Sequence, residues 1–67
     1  MQKTNLISLK QVCERTSLSR TYINRLRGSG RFPEPIHLGE KRLAFVESEI
    51  MEWIDLRVAD RDLRVTQ

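Results

Sequence analysis

Apolar positions come in short, well-separated clusters along the chain. Leu9, Val12 and Cys13 recur at spacings of three and four, the signature of one helical face, and predict a short helix over roughly 9–15. Ser8 suits its N-cap, and Gln11, three residues on, completes a capping box. Ile7 before the cap and Val12 after it fit a hydrophobic staple. The residues ahead of this helix read as an arm, flexible over 1–5. "RTSLS" then interrupts the pattern and predicts a tight turn. A second helix follows over about 20–27, capped by Ser19 and closed by Gly28 as its C′ residue. Ser19, Tyr22, Ile23 and Leu26 fall on one stripe, which turns Tyr22 inward behind the capping Ser19, and Arg20, Thr21, Asn24 and Arg25 fall on the face that the core does not use.

Glycines and prolines exclude a helix through residues 28–35. "PIHL" and "RLAFV" flank "GEK" and predict a β-hairpin, roughly 36–38 against 42–45, with Lys41 and Arg42 at or beside its tip. "ESEIMEWIDLRVADRDL" is the clearest helix, starting near Glu47 or Ser48. Ile50, Trp53, Ile54 and Arg57 or Val58 form its stripe. Trp53 is expected as the largest core anchor, against the hairpin and the first two helices. Residues 59–67 mix charged and apolar groups, which is compatible with a helix extension, a frayed tail or a contact with a second subunit. Two short helices joined by a three- or four-residue turn make the helix-turn-helix pattern, and a basic hairpin after it is a wing. The expected fold is mainly α with a small β-hairpin, a winged helix-turn-helix over residues 6–58.

The totals narrow the function classes. With 67 residues the chain forms one domain, burying only ~60% of its unfolded surface, too little for a cleft walled by two layers. There is no apolar run near the ~20 residues of a membrane span and no secretory leader, and the lone Cys13 has no disulfide partner. A cytoplasmic protein, associated with the nucleoid when bound to DNA, is expected. His37 stands without a second histidine, so a metal site or covalent catalysis is not expected, and neither is a cofactor or small-molecule ligand. His37 is expected as a strand residue near the wing, and Cys13 as a small core residue.

Charge changes the picture most. The net charge is +3, but residues 15–42 hold seven basic and two acidic side chains, whereas residues 43–67 hold three basic and six acidic ones. A segregated basic region is the electrostatic footprint of a nucleic-acid-binding face. In a helix-turn-helix the second helix enters the major groove N-terminus first, where Arg reads guanine, Asn reads adenine, and Ser or Thr reads several partners. Ser19, Arg20, Thr21, Asn24 and Arg25 are therefore candidate recognition residues. Lys41, Arg42 and Arg27 are candidate wing and flank residues, for the backbone or a minor groove.

Four motifs in order carry a resemblance: Leu18-Ser19-Arg20, then Gly30-Arg31-Phe32-Pro33-Glu34-Pro35, then Leu38-Gly39-Glu40-Lys41-Arg42, and Glu49-Ile50 with Trp53-Ile54. Over about residues 6–57 the chain resembles the AlpA-like phage regulators, small winged helix-turn-helix proteins related to the MerR-type DNA-binding domain and to phage excisionases. It departs from the usual pattern at Ser17, where glycine is customary, at Asn24, where tyrosine is common, and at Phe45, where tryptophan is usual. The resemblance implies a sequence-specific DNA-binding transcriptional regulator of prophage or mobile-element origin, with Arg20, Thr21 and Arg25 in recognition and Lys41 and Arg42 in the wing. A second reading is an excisionase-like architectural protein that directs recombination by bending DNA. A third, from another class, is a protein-interaction adaptor acting through the third helix. Double-stranded DNA is the expected partner, bound by a homodimer or a cooperative array, since so small a monomer spans few base pairs.

Overall fold

The computed structural model describes residues 5–65. The chain runs β1 (Leu6–Ile7), α1 (Leu9–Thr16), α2 (Arg20–Gly28), β2 (Ile36–Gly39), β3 (Arg42–Val46) and α3 (Glu47–Val65). The three strands form one antiparallel sheet in the order β1-β3-β2. Residues 1–4 of the expected arm and residues 66–67 of the expected tail lie outside the described residues.

Local chemistry sets the helix ends. The Ser8 hydroxyl accepts from the Gln11 N–H at 3.2 Å, and the Gln11 side chain accepts from the Ser8 N–H at 2.9 Å, so both halves of the capping box are made. Ile7 and Val12 both enter the core, as a hydrophobic staple requires. α1 stops because Ser17 turns left-handed, at φ 60° and ψ 22°. Thr16 braces the turn: its hydroxyl donates to the Val12 carbonyl at 2.8 Å and accepts from the Leu18 N–H at 3.3 Å. The Ser19 hydroxyl then caps α2 by accepting from the Tyr22 N–H at 3.1 Å.

The other end of α2 differs from expectation. Gly28 is its last helical residue, and the left-handed position falls on Gly30, at φ 71°. The Arg31 N–H donates to the Leu26 carbonyl at 2.9 Å and the Gly30 N–H to the Arg27 carbonyl at 3.1 Å, the paired bonds of a Schellman ending. Glycine is favoured where those bonds impose positive φ, two residues later than Gly28.

β1 was not expected from the sequence. Leu6 pairs with Val46 and Ile7 with Phe45. Two residues are too few to show an alternation, so only the partner strand reveals the pairing. Just beyond it the Glu47 N–H donates to the Asn5 carbonyl at 2.8 Å, and the Asn5 amide reaches Glu47 Oε1 at 3.3 Å. Glu47 also accepts an ion pair from Arg15 at 2.6 Å, tying α1 to the start of α3. In the hairpin, Gly39 pairs with Arg42, leaving Glu40 and Lys41 as a two-residue tip rather than the expected "GEK" link. The register shifts between His37 and Gly39, so Leu38 occupies a bulge.

The core gathers Ile7, Val12, Ile23, Leu26, Phe32, Phe45 and Ile50. Phe45 on the central strand is its largest fully buried side chain. Trp53 is therefore not the central anchor that the sequence suggested: it is only half-buried. Its ring meets Phe32 edge-on at 4.9 Å between centroids, and its Nε1–H donates to the Arg31 carbonyl at 2.9 Å. It clamps the loop between α2 and β2, because an indole must keep its N–H within reach of an acceptor and that loop offers one. α3 continues as a helix to Val65, so through that residue the segment after 58 extends the helix. Among the described residues no helix is long and apolar enough to cross a membrane.

Candidate nucleic-acid interface

α2 buries only Ile23 and Leu26. Arg20, Thr21, Asn24 and Arg25 are all exposed, as the period of the helix requires of the side away from the core. Ser19 is exposed as well. Its hydroxyl accepts from the Tyr22 N–H, which leaves its own O–H available to donate. No ion pair of Arg20, Arg25, Lys41 or Arg42 is found among the described residues, so none of those residues neutralises their charge.

Two side chains of α2 depart from the sequence reading. Tyr22, expected inward, is 43% exposed. The buried stripe passes through Ile23 and Leu26 and continues onto Arg27, not back onto Tyr22. Tyr22 consequently stands beside Thr21 on the polar side, a functional candidate that the simple three-and-four spacing assigned to the core. Arg27, expected as a flank contact, is half-buried. Its guanidinium lies 6.0 Å from the Phe45 ring centroid, its terminal nitrogen donates to Asn24 Oδ1 at 3.2 Å, and its Nε is buried without an acceptor. Arg27 thus finishes the apolar stripe with its stem and steadies a neighbouring recognition candidate with its head. Asn24 would grip adenine with both its amide oxygen and nitrogen, and since that oxygen has two lone pairs it can accept from the base while keeping the Arg27 bond.

On the hairpin, every residue of β2 is exposed, including Ile36, His37 and Leu38. Lys41 lies at the two-residue tip and Arg42 opens β3, both exposed. β3 is the central strand, paired on one side with β1 and on the other with β2. The basic tip is therefore carried by the most constrained strand, which fixes where it stands relative to α2.

A capped helix pair with an αL turn, followed by a hairpin whose inner strand is the middle of the sheet, defines a winged helix-turn-helix protein. A family model described as the prophage CP4-57 regulatory protein (AlpA) matches residues 5–58, from the residue before β1 into α3. The chain belongs to this family of prophage regulatory proteins. A comparison with curated proteins gives no match.

Proposed function

We propose that this chain is a sequence-specific DNA-binding transcriptional regulator. α2 lies in the major groove with Arg20, Thr21, Asn24 and Arg25 toward the base edges, and Ser19 and the first N–H groups of the helix near a phosphate. Lys41 and Arg42 follow the backbone or the adjacent minor groove. Arg27 sets the position of Asn24 from behind. The observation that carries this reading is that the side of α2 not spent on the core presents two arginines, a threonine and an asparagine, exposed and without an acidic partner among the described residues. A merely solvated helix face would ordinarily mix both signs of charge. Membership in a family of prophage regulators supports the same reading. The protein would act on the chromosome in the cytoplasm, with no chemistry of its own and no cofactor.

The test is selection of duplexes from a random pool, followed by titration of the selected and a random duplex at several salt concentrations. The expected outcome is an enriched sequence and a fall of log affinity with log salt near −4, as about four or five phosphate contacts give at roughly −0.9 each. No binding at low salt overturns the proposal. A selected DNA that is bent on binding, with several sites in phase, would move the assignment to the excisionase-like reading.

A further inference from the structure

Two grooves flank Trp53, and they are opposite in charge. One, of about 510 Å³, lies between the 30–34 loop and α3, with Glu34, Glu49 and Glu52 against a single cation, Arg31, around Trp53 and Leu56. Leu56 is 63% exposed. No ion pair of these three glutamates is found among the described residues. The other, of about 240 Å³, lies between the end of α1 and the distal half of α3, with Arg15, Arg57 and Arg61 around Ile54 and Val58. Val58 is 42% exposed. On α3 the Glu49–Glu52–Leu56 row and the Arg57–Arg61 row are separated by roughly 120° at the helical period. One groove thus offers apolar surface rimmed by acid, and the other apolar surface rimmed by arginine.

We infer that these two surfaces bind each other between copies of this chain: the Glu49–Glu52–Leu56 edge of one copy packs on the Arg57–Val58–Arg61 edge of the next. Charge chooses the occupant. A face-to-face pairing of the acidic edge with its own kind would place glutamates against glutamates, and the same holds for the arginines, whereas the unlike edges neutralise one another. Arg57 and Arg61 are available for exchange, while Arg15 is held by Glu47. Among the described residues Arg61 is paired with its neighbour Asp62, at 2.9 Å on an exposed surface where such a pair contributes little. Arg57 lies over the Trp53 ring at 4.9 Å, a contact that a carboxylate on its outer side leaves intact. The two edges lie roughly 120° apart around α3, so the contact inferred is heterologous, one edge to each of two neighbours. Each added copy then leaves an unfilled edge at both ends, so the assembly grows past a pair, as a row or, where the rotation closes, as a ring. None of these residues belongs to α2 or the hairpin, so the row can form while those elements hold DNA. That use rests on the proposed function; the contact itself does not.

Sedimentation velocity of the free protein over rising concentration, at low and high salt, tests the contact without DNA. The expected result is a weight-average mass that passes beyond a dimer and falls with added salt. Glu52→Arg alone and Arg61→Glu alone should each abolish the rise, and an equimolar mixture of the two variants should restore it. Both side chains are exposed, so circular dichroism should match the parent; Glu52→Gln and Arg61→Gln serve if either reversal perturbs the fold. A protein that stays monomeric up to about 1 mM, the weak end of specific affinity, overturns the inference. So does a plateau at the dimer, or self-association indifferent to both substitutions. Capture of a polyarginine probe by the acidic groove of a strictly monomeric protein would instead assign that groove to a basic partner of another kind.

Discussion

Ser17 is the one non-glycine residue with positive φ among the described residues. The left-handed region costs an L-residue roughly 1–2 kcal/mol, partly offset by the greater entropy that glycine loses on folding. Ser17→Gly should accordingly raise stability by about 0.5–1 kcal/mol with the turn unchanged, read as a shift of the urea midpoint without a change of slope. Unaltered or lower stability would mean that the serine side chain holds the turn in a way its backbone angles do not disclose. Arg27 invites the opposite experiment. Its Nε is buried and unsatisfied, so Arg27→Met, which keeps the stem over Phe45, should leave stability within about 1 kcal/mol of the parent. If Arg27 steadies Asn24, the same variant should bind its selected DNA less discriminately. Arg20→Ala should cut discrimination between selected and random DNA, while Arg42→Ala should weaken both nearly equally. Identical effects of the two on both duplexes would sink that division of labour.

At the scale of elements, the two aromatic clamps separate cleanly. Phe45 is 1% exposed on the middle strand and touches Phe32 edge-on at 6.1 Å between centroids. Phe45→Ala should cost about 3–5 kcal/mol, enough to unfold most molecules of so small a domain in a thermal melt. Trp53 is half-buried and holds a loop, so Trp53→Ala should cost less, roughly 2–3 kcal/mol, and leave a folded helix pair. The reverse ranking would return Trp53 to the centre of the core. The elements that the sequence exposed most plainly were those whose signals are local. Ser8 with Gln11, Ser19 before an arginine-rich helix, and the Gly-Pro stretch from 28 to 35 each act within a few residues. β1 and the place of Trp53 were hidden because each is decided by a distant partner, Val46 and Phe45 for β1, Arg31 and Phe32 for the indole. Tyr22 was misassigned for a related reason. A helix of nine residues has room for a narrow buried stripe, and which edge of it reaches the core depends on where Phe45 lies, not on spacing within the helix. The exposed polar row of α2 was legible because whatever the core does not take must face water.

For the whole molecule, a basic half and an acidic half divide the labour along the chain. In the proposed function residues 15–42 supply the surface offered to DNA, and in the inferred self-contact α3 supplies the charge that the chain offers to itself. Salt should therefore weaken both associations, but by separable amounts, since Glu52→Arg should leave the affinity of a single isolated duplex unchanged or slightly raised while abolishing cooperative filling of adjacent ones. An equal loss of both in a filter-binding or gel-shift titration would show that the two surfaces are not independent. The pairing of Leu6 with Val46 has a consequence for how the protein is made. Its edge strand waits about 40 residues for a partner. At ~5–20 residues per second the ribosome needs some 2 to 8 s to supply it. Through that interval α1 and α2 have been made, and Ile7 has its staple partner Val12 but not Phe45. The nascent chain must hold Leu6 and Ile7 without their strand partner until β3 has been synthesised, so the hairpin proposed to meet DNA is also what ends that exposure to chaperones and proteases.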